Sequence, residues 1–309
     1  MGKGDRNFNP EPHPLYCTPY CIPCVGERTM LHLNLAQYIH DNVAAALDED
    51  IRGGDVTAQL IPRLQTATAS IISRQTAVLC GTLWLEECFL SLDPDCKIKW
   101  LAQEGAVVQP DQQLCEVRGN TRALLSAERS ALNFLQTLSG TATLVRRYVD
   151  AVAGTQARIM DTRKTLPGLR MAQKHAVRVG GGYNQRTGLF DGVLIKENHI
   201  TAAGSIRAVL EQAFRITPPG IPIQIEVENM AQFDEAFHAG ARLILLDNFS
   251  LVDMQAAVTY AAKRVELEAS GGISLENVRL VAETGVDRIS IGAMTKDVVA
   301  VDLSMRFES

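Results

Sequence analysis

The sequence predicts an α/β protein in which a run of βα units, leading to a barrel or an open parallel sheet, follows a smaller α+β domain. Three observations predict it. Apolar, strand-like runs at ARIM, GVLI, PIQIEVE, RLILL, VELEA and RISI alternate with helical stretches such as AAGSIRAVLEQAF, MAQFDEAFHAG, LVDMQAAVTYAAKR and LENVRLVAETG. At the end of each run stands a polar or small residue, Asp161, Lys196, Glu226, Asp247, Ser270 and Gly292, the last four at an even spacing of a little over twenty residues. Arg and Lys crowd the stretch from Asp161 to His199, which itself ends in the apolar run GVLIKE.

The 309 residues are 46% hydrophobic, ample for one large or two ordinary cores. A formal charge of -5 with no basic stripe argues against a nucleic-acid surface. Apolar runs fall short of the roughly 20 residues of a membrane helix, and the start has no apolar signal core, so a cytoplasmic enzyme is expected.

Residues 1–30 are rich in Pro and polar groups without periodicity and read as an extension, with Met30 an alternative start. They hold Cys17, Cys21 and Cys24, a C-x3-C-x2-C spacing similar to the cluster loop of radical enzymes that use S-adenosylmethionine. Such thiolates suit an iron–sulfur cluster or, with His13, zinc; a dispensable tail is the plainer reading. Cys80, Cys88, Cys96 and Cys115 stand singly among apolar neighbours, as buried thiols do.

The small domain is expected over residues 31–135. Leu35, Tyr38, Ile39, Asn42, Val43, Ala46 and Leu47 share one helical face, and GGDVT ends that helix. Strands follow at ATASIISR and TAVLCG, a helix near LWLEECFLSL, then strands at KIKWL, AVV and LCEVRG. EGAVVQPDQQLCEVRG resembles half of a barrel-sandwich of the biotin-carrier type but has no Lys at its tip. From Leu124 a helix begins, with Leu132, Leu135, Leu138, Val145 and Val149 on its buried face and a break expected at Ser139–Gly140. Glu128–Arg129 reads as a surface pair or as a site contribution. The catalytic domain is expected over residues 136–293, with residues 294–309 packing back on the small domain. Asn229, Ser250 and Ser274 stand where N-caps belong.

In a βα-barrel the strand ends converge on one face, and that face carries the chemistry. Arg163, Lys164, Arg186 and Lys196 would meet Glu226 and Asp247 there. Two acids alone make a general acid/base pair or a hard-metal site; opposite so many cations they best suit a magnesium ion bridging phosphates. Ser270-Gly271-Gly272 and Ile291-Gly292 supply small residues whose amides can approach a phosphate. Lys174, Arg178 and Arg170 read equally as a solvated helix face or as site contacts, and His199 as a local hydrogen-bonding group. A Schiff-base lyase using Lys196, or a metal-binding module built on the cysteine tail, are the competing readings.

ERSALNFLQTLSG, DTRKTLPGLR, GGGYNQRTGLFDGVLIKENHI, EVEN, LLDNF, ASGGI and ISIGAMT, in this order and spacing, resemble the quinolinate phosphoribosyltransferase family across residues 31–309. The resemblance implies an incomplete α/β barrel with an open-sandwich N-terminal domain, and a homodimer sharing its active sites. It also implies transfer of phosphoribose from phosphoribosyl pyrophosphate to quinolinate with loss of carbon dioxide, using Mg2+. By the same resemblance Arg129 enters the neighbouring subunit's site, and Thr162, Arg163 and Arg186 grip the quinolinate carboxylates. Lys164 and Lys196 would hold the pyrophosphate and ribose end, and Glu226 and Asp247 the ribose and Mg2+. One departure stands out: Gln185 occupies the middle of a pattern that is usually Asn-His-Arg, where its amide would donate to a carboxylate without carrying charge.

Overall fold

The computed structural model describes residues 35–308, so the tail with Cys17, Cys21 and Cys24 and the Met30 start lie outside the described residues. The chain opens with α1 (Leu35–Ile51), which buries Ile39, Val43 and Leu47 at its helical spacing. Then come β1 (Thr66–Ser73), β2 (Ala77–Val78), α2 (Thr82–Leu92), β3 (Lys97–Trp100), β4 (Val107–Val108) and β5 (Gln113–Asn120). β5 pairs antiparallel with β1 and β3, while β4 pairs only with β2. The expected half barrel-sandwich is therefore split between two sheets.

α3 (Thr121–Ala151) is one unbroken helix of 31 residues, capped by the Asn120 side chain, which accepts from the amides of Arg122 and Ala123. The break expected at Ser139–Gly140 is absent, and both residues serve packing instead. Ser139 Oγ accepts from the Cys80 amide at 2.9 Å and donates to the Cys80 carbonyl at 3.1 Å. A Cβ on Gly140 would sit 2.1 Å from the Val299 carbonyl oxygen, so only glycine lets that segment lie against the helix. α3 runs through the boundary drawn at residue 135: Leu124 to Ala142 pack in the first hydrophobic core, Val145, Tyr148 and Val152 in the second.

The second core surrounds six parallel strands. In chain order these are β6 (Arg158–Met160), α4 (Arg170–Val179), β7 (Val193–Ile195), α5 (Glu197–Ala203), α6 (Ile206–Ile216), β8 (Ile223–Val227), α7 (Met230–His238), β9 (Leu243–Asp247), α8 (Leu251–Ala261), β10 (Glu266–Ser270), α9 (Val278–Glu283), β11 (Arg288–Ser290) and α10 (Ala293–Lys296). Asn229 and Ser250 cap α7 and α8 with their side chains. Ser274 caps only a turn, because α9 begins later, after Asn277.

The strand order is β6-β11-β10-β9-β8-β7, and Tyr183 adds a parallel bridge to Met160 outside β6. Laid flat, the Tyr183 segment would stand five strand spacings from β8, roughly 24 Å at about 4.8 Å each. Yet Gln185 touches Gln224 on β8 at 2.8 Å. The sheet is therefore rolled into a barrel, and among the described residues no ladder joins Tyr183 to β7, which leaves it incomplete. The last strand, β12 (Leu303–Phe307), returns to pair antiparallel with β1 in the first sheet. No described helix is long and apolar enough to cross a membrane.

Candidate active site

The rolled sheet gathers the strand ends at one mouth. Thr162, Arg163 and Lys164 follow β6; Lys196 follows β7; Glu226 lies in β8, Asp247 ends β9, Ser270 ends β10, and Ile291 and Gly292 follow β11. In parallel register Ser270 lies beside Asp247. The β6 and β11 ends are closely apposed: the Ile291 amide donates to the Met160 carbonyl, and a Cβ on Gly292 would lie 2.9 Å from the Lys164 side chain. Glycine at 292 is what allows Lys164 to cross it.

Three cations at this mouth lack carboxylate partners. Among the described residues Arg163, Lys164 and Arg186 form no ion pair. Arg163 Nε is buried without a hydrogen-bond partner. Burial and then the charge of Arg163 hold Arg186 below the usual guanidinium range, so the two cations repel each other. Arg186 Nη1 donates to the Gly192 carbonyl at 2.9 Å, which fixes its stem and leaves donors free. Two crowded guanidiniums with unused donors offer the donor set that a doubly anionic planar group takes.

Both loops that carry these arginines are stitched together by Arg170 on α4. It donates to Thr165 Oγ1 at 3.2 Å, to the Arg163 carbonyl at 3.3 Å and to the Thr187 carbonyl at 3.2 Å. Asp191 accepts from the amides of Thr187 and Gly188 and closes the second loop. From α1, Tyr38 donates to the Gly168 carbonyl at 2.5 Å and anchors the far side of the first loop.

The acids form the opposite wall. Glu226 Oε2 holds Lys196 Nζ at 2.5 Å, and Asp247 Oδ2 accepts from Asn248 Nδ2 at 2.8 Å. Asn248 adopts a left-handed φ of 56°, and a Cβ on Gly271 would stand 2.1 Å from Asn248 Oδ1. Gly271 and Gly272, with φ of 94° and 59°, thus permit a backbone turn closed to other residues.

Two expectations need correction. Lys174 is no part of a solvated face: it is 3% exposed and donates to Asp161 Oδ1 at 2.7 Å and to the Gln185 carbonyl at 2.8 Å. Burial pushes the Asp161 carboxyl up and the Lys174 ammonium down, and each partner's charge opposes this. Asp161, wholly buried, therefore supports the mouth from beneath, and Asn184 also donates to it. Gln185 is not left free to meet a ligand, because its side-chain amide is bonded to Gln224 and Glu268 within the barrel.

Arg129 stands apart from the strand ends. It lines a cleft of about 430 Å3 with Asn42, Glu49, Asp50 and Pro167, between α1, α3 and the loop after Lys164. His199 Nδ1 accepts from the Lys196 amide at 3.0 Å, a local capping bond. A separate cluster, Cys80, Glu104 and His175, brings three metal-type ligand atoms within 4.8 Å. Glu104 is already engaged by the amides of Gly81 and Thr82 and by His175 Nε2, and burial pushes the Cys80 thiol well up, away from the thiolate a metal needs.

Sequence reasoning missed Glu268 and Gln224, whereas Asn248, read as a loop-shaping residue, does take a left-handed turn conformation. For Glu268 a signal existed: Glu266, Glu268 and Ser270 alternate along β10, so Glu268 shares the inward face of Ser270.

Two family profiles match in tandem: Quinolinate phosphoribosyl transferase, N-terminal domain, over residues 55–139, and the corresponding C-terminal domain over residues 141–306. A carboxylating nicotinate-nucleotide pyrophosphorylase from Mycobacterium leprae is 43% identical over 274 residues, covering 86% of this chain and 95% of that protein. A mitochondrial quinolinate phosphoribosyltransferase from Nicotiana tabacum is 36% identical, covering 85% of this chain and 80% of its own length. The nicotinate-nucleotide pyrophosphorylase structure from Francisella tularensis superposes with a TM-score of 0.86 at 42% identity, covering 88% of this chain and 97% of that one. With both profiles in order, and the barrel and its mouth assembled as described, the chain belongs to the quinolinate phosphoribosyltransferase family.

Proposed function

We propose that the protein transfers the phosphoribosyl group of phosphoribosyl pyrophosphate to quinolinate, releasing pyrophosphate and carbon dioxide and leaving nicotinate mononucleotide for NAD synthesis. The observation that carries this reading is the set of unpaired cations, Arg163, Lys164 and Arg186, facing Glu226 and Asp247 across one barrel mouth. Arg163 and Arg186, with Thr162, take the two ring carboxylates, since a guanidinium binds a carboxylate through two parallel bonds and fixes its plane. Lys164 and Lys196 take the pyrophosphate and ribose end, against the phosphate-accessible turns at Ser270-Gly271-Gly272 and Ile291-Gly292.

The ring nitrogen attacks the anomeric carbon as pyrophosphate leaves. Positive charge that develops on the ribose is stabilised by Glu226 and Asp247. Ribosylation makes the ring cationic, so the electron pair left by departing carbon dioxide is stabilised at the 2-position and then protonated. The protein's part is mainly positioning.

Mg2+ belongs to the same reading. Among the described residues no protein donor is bonded to Glu226 Oε1 or Asp247 Oδ1, so the mouth offers two free carboxylate oxygens. One or two carboxylates plus substrate oxygens is the donor set Mg2+ takes. When bound, the ion would neutralise charge on the leaving pyrophosphate. A homodimer is also part of it: Arg129 lies outside its own mouth, and Val56, Leu60 and Leu64 are 80%, 81% and 89% exposed, a face that a second copy would cover. Cytoplasmic residence goes with the reading, because phosphoribosyl pyrophosphate is a highly charged anion that does not diffuse through lipid. A Schiff base on Lys196 is disfavoured by its ion pair with Glu226, which occupies the nitrogen that would have to attack.

The test is a parallel assay of quinolinate and nicotinate with phosphoribosyl pyrophosphate, scoring carbon dioxide release. Quinolinate is expected to turn over with one carbon dioxide per pyrophosphate; turnover of nicotinate alone would overturn the assignment.

A further inference from the structure

Gln185 is held at every polar atom it has. Its backbone amide donates to Asp161 Oδ1 at 2.7 Å, and its carbonyl accepts from Lys174 Nζ at 2.8 Å. Its side-chain oxygen accepts from the Arg186 amide at 3.0 Å. The side-chain nitrogen donates one proton to Gln224 Oε1 at 2.8 Å and shares the other between the two oxygens of Glu268, at 3.0 and 2.9 Å. An amide nitrogen has only two protons, so none is left for a ligand.

Glu268 is the floor of this arrangement. It is 0% exposed, and its carboxylate also accepts from Gln224 Nε2 at 3.0 Å. Among the described residues no Lys, Arg or His forms an ion pair with it. A buried carboxylate held by two amides, with the Arg288 charge on the neighbouring strand acting on it, is costly to disturb, so the network restrains Gln185. That arrangement sets the backbone from which Arg186 projects.

We infer that Glu268, with Gln224 beneath the mouth, is a positioning residue for the dicarboxylate clamp: it fixes Gln185 and through it the direction of Arg186, while Gln185 itself makes no bond to substrate. The inference rests on the activity proposed above. It assigns the departure from Asn-His-Arg a physical sense, since a neutral amide can satisfy the carboxylate below and the Arg186 amide beside it at once.

A double-mutant cycle tests it, with Gln185→Ala, Glu268→Ala and the pair. Because a small misplacement of a binding group is felt strongly in rate, Glu268→Ala is expected to raise the KM for quinolinate about tenfold, with the KM for phosphoribosyl pyrophosphate moving less than about twofold. The double variant should be no worse than Gln185→Ala by more than about twofold, since residues acting through one another are not additive. Glu268→Gln, which keeps one acceptor oxygen, should restore part of the loss and serves as the cycle's partner if Glu268→Ala does not fold. The same cycle is read without turnover by calorimetric binding of benzene-1,2-dicarboxylate, which presents both carboxylates but has no ring nitrogen. Multiplicative losses, or equal rises in both KM values, would overturn the inference. A wild-type enzyme inert on quinolinate that still binds the dicarboxylate with a non-additive cycle would instead overturn the proposed reaction.

Discussion

Two groups of cations occupy the same barrel and differ in one respect. Below the mouth, Lys174 is paired with Asp161, and Arg158 and Arg288 share the Glu266 carboxylate. At the mouth, Arg163, Lys164 and Arg186 form no ion pair among the described residues. In the lower set the Lys174–Asp161 pair is buried on both sides, so removing its lysine leaves a buried charge in a low dielectric, while Arg158, Arg288 and Glu266 are partly exposed. The upper set has no ion-pair partner among the described residues, Asp191 acting on Arg186 only through its charge, so removing Arg163 or Arg186 relieves repulsion between them. The difference separates charges paired within the chain from charges left without an ion-pair partner among the described residues.

Lys174→Met gives the sharpest break. It leaves Asp161 buried with its charge uncompensated, and the expected loss is about 3–5 kcal/mol of unfolding free energy in urea denaturation. A variant as stable as the parent would mean that the pair contributes nothing and that the two groups do not differ as described. Arg186→Lys should come next and act on the other side of the comparison: kcat/KM for quinolinate falls about 100-fold, or about 2.7 kcal/mol, because one ammonium cannot replace a two-pronged guanidinium. Thermal stability should hold or rise; a drop of Tm alongside activity would place Arg186 with the structural set.

The smallest effect concerns a paired acid outside the barrel. Burial pushes the Glu104 carboxyl up, but hydrogen bonds from His175, Gly81 and Thr82 outweigh this and hold it below the usual carboxylate range. A depressed folded value means that Glu104 contributes stability above its unfolded pKa and loses it as pH falls through the folded one. Wild type should therefore exceed Glu104→Gln by on the order of 1 kcal/mol at neutral pH, and the two should converge in acid. Urea midpoints measured from neutral pH downward check it; a gap that widens in acid would contradict the assignment.

The alternation of strands and helices, and the residues at the strand ends, were legible because both follow from local periodicity. Glu226, Asp247 and Ser270 needed no more than their place after an apolar run. The tandem helix signals at Asn229 and Ser250 were equally local. What sequence did not disclose depends on contacts across the barrel. Lys174 lies on an amphipathic helix whose charged side would ordinarily face water, and only the fold places Asp161 there. Gln185 read as a substrate contact because the family resemblance gives that role to its neighbour Arg186; its side-chain partners, Gln224 and Glu268, lie 39 and 83 residues along the chain. Ser139–Gly140 failed for the same reason, since a glycine required by the close approach of Val299 is locally indistinguishable from one that ends a helix.

β12 has a consequence for how the chain acquires its fold. Ala69 pairs with Phe307 and Ser73 with Leu303, so the first sheet takes its edge strand from beyond the whole barrel. During synthesis the barrel's strands all emerge before that partner does, and β1 keeps an open edge until β12 has emerged. Such long-range pairing is slow to close, and truncation after α10 would leave the β1 edge uncovered, a template for pairing between copies.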